Sequence, residues 1–147
     1  MPLSVHDVAN YFLSLANPEV GDAITHLKLQ KLCYYAQGFS LALNDKPLFD
    51  DRIEAWQHGP VAPALYAVYR NHGAASLLPP ANLDLGKFSD IEKELLDEVY
   101  NVYGQFSAWK LRNMTHDEPP WKEAYNAVDE TIAHSAMQEY FKTLVNE

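Results

Sequence analysis

The sequence has 147 residues, 48% of them hydrophobic and 21% charged, which predicts one soluble domain that spans residues 1–147. The net charge of −9 disfavours direct contact with nucleic acid, because proteins bind phosphates through basic patches, and the nearest approach to such a patch is Lys28 with Lys31. Cys33 is the single cysteine and the sequence shows neither a signal peptide nor a membrane-spanning apolar run, so we expect a cytoplasmic protein without disulfides.

Two helices with different apolar patterns are predicted in the first third of the chain. The first spans residues 4–16, with Ser4 as its N-cap and Asp7 three residues on as a variant of the capping box. It ends at Asn17-Pro18, because a residue before proline avoids the helical region. The second spans residues 26–43 and carries apolar residues on two opposite sides. A helix of this kind lies between neighbouring elements, so we place it at the centre of the domain. Gly38 within it would allow another helix to approach closely.

The segment from residue 44 to residue 73 predicts a short extended excursion followed by a third helix. Leu48-Phe49 and residues 52–56 are extended pieces separated by a turn, which is compatible with a small hairpin. His58-Gly59-Pro60 is predicted to begin the third helix, since proline suits a first helical turn. Val68 is expected to face inward, and Gly73 to end the helix.

A fourth helix is predicted after the irregular link of residues 74–88. Ser89 and Glu92 form a capping box at its start, and it continues to about Tyr103. Ile91 and Val102 are expected among its inward-facing residues.

Two further helices complete the predicted fold. The fifth spans residues 108–115, Pro119-Pro120-Trp121 ends this region, and a last helix begins near Ser135. The expected fold is therefore mainly α: a single compact domain of about six helices, with a central two-sided helix and at most a small β excursion.

Few residues carry a signature of chemistry. Cys33 lies in mid-helix on an apolar stripe, which predicts a buried and inert thiol. The histidines show no metal-ligand spacing and no glycine-rich phosphate loop is present, so neither a metal nor another cofactor is predicted. An alternative is a small hydrolase or a metal-dependent enzyme that uses His58, His116 and nearby carboxylates. In that case Asp117 and Glu118 would raise the pKa of His116 and make it a base.

Two local motifs allow both a structural and a functional interpretation. Residues 56–61 form a turn that sets the third helix above Trp56, or a helix start where free N–H groups beside His58 receive an acidic group. Residues 115–121 anchor a loop, or bring an imidazole together with two carboxylates. We favour the structural interpretation of both motifs.

Several motifs follow one another in a fixed order through the chain. They are Lys28-Leu29-Gln30-Lys31-Leu32 with Tyr34-Tyr35-Ala36-Gln37, then Leu48-Phe49, Glu54-Ala55-Trp56, and His58-Gly59-Pro60-Val61 with Tyr66. In this order they resemble the SocA-like antitoxin family, also called the Panacea domain, which includes phage-associated proteins. The resemblance continues more weakly through Thr115-His116, Pro120-Trp121, Ile132 and Tyr140-Phe141.

This resemblance implies an antitoxin that neutralises a co-encoded protein toxin by direct binding. It also implies a finer option, in which the chain acts as an adaptor that delivers the toxin to an AAA+ protease. A phage-encoded host-interaction factor is a further alternative, and the sequence leaves a homodimer open. Exposed aromatic and imidazole groups are natural contacts, so the candidate partner-binding residues are Trp56, His58, Tyr66, His116 and Trp121.

Overall fold

Helices dominate the structure, a computed structural model that describes residues 3–16, 23–73, 75–80, 82–127 and 129–145. Within these ranges, none of the helices combines the length and the apolar character that crossing a membrane requires. The mainly α prediction is confirmed. The helices are α1 (Val5–Leu15), α2 (His26–Asn44), α3 (Pro63–Tyr69), α4 (Asp90–Tyr103), α5 (Ala108–His116), α6 (Pro119–Tyr125) and α7 (His134–Val145), with 3₁₀ turns at Arg70–His72 and Leu85–Lys87.

The second helix is the central element, as its two apolar sides predict. α2 packs against α1, α3, α4, α5 and α7, and it is buried along most of its length. Gly38 permits the closest of these approaches, because a Cβ atom at this position would overlap the ring of Phe141 in α7. The predicted role of Gly38 is therefore confirmed.

Two buried glutamines of α2 bind the main chain that follows the helix. Oε1 of Gln37 accepts the N–H of Leu48 at 2.7 Å, and its Nε2 donates to the carbonyl of Phe49 at 2.8 Å. Two helical turns earlier, Oε1 of Gln30 accepts the N–H of Ala62 at 2.9 Å. Both ends of the segment from residue 48 to residue 62 are thus held against α2.

Both predicted capping boxes are present, at the starts of α1 and α4. Oγ of Ser4 accepts the N–H of Asp7, and Oγ of Ser89 accepts the N–H of Glu92, both at 3.2 Å. In return, the side chains of Asp7 and Glu92 accept the N–H groups of the two capping serines. Such caps satisfy N–H groups that have no partner inside the helix. Asn17 and Pro18, which were predicted to end the first helix, lie outside the described residues.

The chain forms its hairpin one segment later than predicted. β1 (Glu54–Trp56) and β2 (Gly59–Val61) are antiparallel, and Ala55 is paired with Pro60. The prediction that residues 58–60 begin a helix is wrong: Pro63 occupies the first turn of α3 instead. Leu48 and Phe49 are not part of the hairpin: their main-chain groups bind Gln37, and Phe49 forms an isolated parallel bridge with Leu3.

Three residues that were predicted to face inward lie at the surface. Val68 in α3 is 52% exposed, and Ile91 and Val102 in α4 are 61% and 40% exposed. Each of these helices covers the core with one side only, and Leu65 and Leu96 occupy that side. Apolar residues of a surface helix that fall outside such a stripe remain in solvent.

The segment between α5 and α6 is anchored in the core by a carboxylate. Oε1 and Oε2 of Glu118 accept the hydroxyl protons of Tyr34 and Tyr35 at 2.9 and 2.8 Å. Burial raises the pKa of Glu118 to about 7, although these hydrogen bonds oppose the rise. The predicted stop at residues 119–121 is wrong, because Pro119 begins α6, where its missing N–H is tolerated.

We expect Leu32→Ala to destabilise the fold strongly. Leu32 is fully buried in α2, so the truncation would leave a cavity and lower the free energy of unfolding by about 2–5 kcal/mol. Leu43→Ala is the matched control, since Leu43 is 56% exposed on the same helix and its loss should cost less than ~0.5 kcal/mol. Urea unfolding measures both changes. Equal losses would contradict the central position of α2.

We expect Glu118→Gln to change how stability depends on pH. The pKa of Glu118 rises from 4.5 to about 7 on folding, so between these values the folded state binds more protons than the unfolded state. Stability contributed by this group is complete below pH 4.5 and is lost as pH rises through about 7. In Glu118→Gln, the free energy of unfolding should no longer fall for this reason as pH rises from 4.5 to about 7. The control Glu123→Gln, at an exposed position, should still show the fall. Urea unfolding across this range tests the expectation, and identical slopes in the two variants would disprove it.

Candidate functional site

The five candidate residues lie on four adjacent elements. Trp56 is in β1 and His58 in the turn that follows it, while Tyr66, His116 and Trp121 lie in α3, α5 and α6. The hairpin contacts α2, α5 and α6. Residues that are up to 65 positions apart in the sequence are thereby brought to one side of the molecule.

Trp121 holds the hairpin to the helical layer. Its Nε1 donates to the carbonyl of Trp56 at 2.8 Å, and its ring stacks on His116 with the centroids 4.1 Å apart. Trp56 in turn meets Tyr66 edge to face at 4.8 Å. Four of the five candidates therefore form one continuous set of contacts, which supports the anchoring interpretation of residues 115–121.

His58 faces outward, beside two residues that sequence reasoning missed. Nε of Arg112 donates to Nδ1 of His58 at 3.1 Å, and the guanidinium lies 4.4 Å from the ring centroid of Trp109. Trp109 is 57% exposed. Its spacing of three residues from Arg112 in a predicted helix was the available signal, because residues at this spacing share one face.

Lys31 lies beneath the hairpin. Its side chain is fully buried, and Nζ donates to the carbonyl of Pro60 at 3.2 Å. Gly59 makes room for it: a Cβ atom there would lie 2.5 Å from Cε of Lys31 and 2.9 Å from Oγ1 of Thr115. Lys28 is also buried, and its Nζ donates to the carbonyl of Gly104 at 2.6 Å, so these two lysines do not form a surface patch.

Burial and the charge of a basic neighbour lower the pKa values of Lys31 and His116. Burial, and after it the charge of Arg112, lowers the pKa of Lys31 to about 7. The same two causes lower the pKa of His116. The prediction that Asp117 and Glu118 raise the pKa of His116 is therefore wrong. The carboxylate of Glu118 points to the tyrosines of α2 instead.

A cavity of about 340 Å³ opens beside the hairpin. Its wall combines basic groups with aromatic rings, a composition that suits a ligand with both a charged and an apolar part. The residues that line it include His26, Gln30, Lys31, Trp56, His58 and Tyr66.

The described residues do not present the usual groupings for metal or thiol chemistry. Within the described ranges, no three His, Cys, Asp or Glu side chains are placed to hold a metal ion together. Cys33 is buried in α2, and burial raises the pKa of its thiol well above the ordinary value. The predicted inert thiol is confirmed, because the reactive thiolate is strongly disfavoured there.

An apolar groove of about 430 Å³ lies on another part of the surface, between α2, α4 and α7. Sequence reasoning missed it because Ile91 and Val102 were expected in the core. Its lining includes Phe39, Leu43, Ile91, Val102, Tyr103 and Val145, together with Glu94 and Glu98.

Comparisons with known proteins agree on one relationship. Residues 29–122, more than half of the chain, match the family model described as antitoxin SocA-like, Panacea domain. The chain is also 30% identical over 132 residues to antitoxin SocA of Caulobacter vibrioides (strain NA1000 / CB15N). This alignment covers 78% of the chain and 66% of the length of that relative. No solved structure matches the chain significantly.

We expect Gly59→Ala to destabilise the protein more than Gly73→Ala. Both glycines have positive φ values, +110° and +55°, and an alanine in such a conformation costs about 1–3 kcal/mol. Only at position 59 would the added methyl group also collide with Lys31 and Thr115, whereas nothing lies within 4 Å of it at position 73. Thermal unfolding of the two variants isolates the cost of the collision. Equal losses would show that Lys31 moves aside freely.

Proposed function

Because the chain belongs to the SocA-like antitoxin family that carries the Panacea domain, we propose that it neutralises a protein toxin by direct binding. The observation that carries the proposal is the family match over residues 29–122, which includes all five candidate residues. Residues 1–147 act as one domain in this proposal, without a cofactor and without enzymatic activity.

The surface around the hairpin suits a protein partner. Tyr66 is 38% exposed and Trp109 is 57% exposed, and His58 lies beside Trp109 with the ring centroids 6.2 Å apart. Large aromatic side chains contribute much of the binding energy at protein interfaces. Here their rings are already held by contacts with Trp56 and Arg112, so little side-chain freedom is lost on binding.

The arrangement of the histidines favours a binding role over catalysis. Nδ1 of His58 accepts a hydrogen bond from Arg112, so this nitrogen is not available as a base. Nε2 of His116 is buried, and no described residue bonds to it. A general base needs an accessible nitrogen within reach of a substrate proton, and neither of these two nitrogens provides it.

Two finer points belong to the same proposal. The net charge of −9 would steer the chain towards a basic toxin. Delivery of the bound toxin to an AAA+ protease would add a second function to the complex. Adaptor activity predicts that the toxin disappears faster in cells that contain the chain, whereas simple sequestration predicts a long-lived complex.

We expect the chain to rescue growth of cells that express the toxin encoded by the neighbouring open reading frame, and to co-purify with it. The first measurement is growth with the neighbour alone and with both proteins, followed by affinity purification. A harmless neighbour that does not co-purify would contradict the proposal.

Surface variants then locate the contact. Trp109→Ala and Tyr66→Ala should weaken the complex by about tenfold or more, because each removes an exposed aromatic beside the hairpin. Ile91→Ala is the control, since Ile91 is 61% exposed in the apolar groove. The opposite ranking would move the interface to that groove.

A further inference from the structure

Basic side chains from three elements gather around the hairpin without an acidic partner. Lys31, His58, Arg112 and His116, here called the basic cluster, come from α2, the hairpin turn and α5. Among the described residues, none of the four forms an ion pair with a carboxylate. In a chain with a net charge of −9, four neighbouring basic residues that share no ion pair within the described ranges form an unusual group.

Two carboxylates of the adjoining elements, those of Glu54 and Glu118, are engaged elsewhere. Glu118 accepts hydrogen bonds from Tyr34 and Tyr35 in the core. Glu54 accepts from Nε of Arg52 at 2.6 Å and from Nε1 of Trp56 at 2.9 Å. Neither carboxylate forms an ion pair with the basic cluster, and the cost of an unpaired buried charge is reflected in the lowered pKa of Lys31.

Hydrogen-bonding capacity is also left over in the basic cluster. Nζ of Lys31 has three protons, and the described residues provide one acceptor, the carbonyl of Pro60. Nε2 of His116 is buried, and within the described ranges it has no partner. Lys31 and His58 both line the cavity beside the hairpin, so the spare capacity of Lys31 lies at the cavity wall, whereas His116 is not one of the lining residues.

We propose that the cavity beside the hairpin binds an oxyanion, a carboxylate or phosphate group, at the basic cluster. His58 lines the cavity and would contact the anion directly, while Arg112, bonded to His58, would add the charge of its guanidinium. Lys31, which also lines the cavity, would take up its full positive charge beside the anion. Trp56 and Tyr66 would pack against the apolar part of the group that carries the anion. The cavity of about 340 Å³ accommodates one side chain or a small molecule.

We favour an acidic side chain of the toxin as the source of the bound oxyanion, and this choice rests on the proposed function. A free phosphate compound presents the same chemistry. The sequence also allows an acidic group at the same turn, where it would meet the N–H groups of a helix start. The structure has a hairpin there, and the positive charge comes from side chains of α2 and α5 instead.

The test is an NMR titration of the ¹⁵N-labelled full chain with sodium phosphate and with sodium acetate, at an ionic strength kept constant with sodium chloride. Saturable shifts are expected at the Trp56 indole and the His58 imidazole. Arg112→Gln and Lys31→Met should each weaken this binding by about tenfold or more, because each removes a positive charge from the cluster. Lys93→Gln is the control, since it removes a lysine from α4, outside the cavity.

The outcomes separate the two sources and the two proposals. Binding of acetate at least as tight as that of phosphate supports an acidic side chain, and tighter binding of phosphate supports a phosphate compound at the same site. Absence of saturable shifts, or binding by a folded Arg112→Gln protein equal to that of Lys93→Gln, overturns the inference. Toxin neutralisation without anion binding would refute only the proposal that the cavity binds an anion. Anion binding without a toxin partner would refute only the proposed function.

Discussion

The burial of α2 is the constraint on which the rest of the structure depends. This helix carries Gln30, Lys31 and Gln37 into the core together with its apolar residues, and each of these polar groups needs a hydrogen-bond partner there. All three find it in the main chain between residues 48 and 62. The path of this segment, and with it the position of the hairpin, is therefore set from inside the molecule.

The position of the hairpin determines which side chains meet at the surface. Its carbonyl at Trp56 receives the indole N–H of Trp121, and its turn brings His58 to Arg112. The loop before α6 is fixed independently, because Glu118 is bonded to two tyrosines of α2. The candidate surface is thus supported at both of its edges by the same central helix, which gives it a defined shape before any partner binds.

Local signals in the sequence predicted the helices well, and contacts between distant segments account for what was missed. Capping boxes at Ser4 and Ser89 depend on neighbouring residues alone and were therefore readable. Gly59-Pro60 suits a helix start as well as a short strand, and the strand is supported by contacts with distant residues, such as the bond from Lys31 to the carbonyl of Pro60. The five candidate residues were named from their motif, but the contribution of Lys31 could not be read, because a lysine normally predicts an exposed position.

Positions on the buried side of Gly59 tolerate fewer substitutions than positions on its exposed side. On the inner side, a larger residue at position 59 collides with Lys31 and Thr115, so such a change needs compensating changes at these two positions. On the outer side, Tyr66 and Trp109 project into solvent and can be exchanged without disturbing that packing. A scaffold of this kind can acquire a new partner through substitutions at its rim while its interior chemistry stays constant.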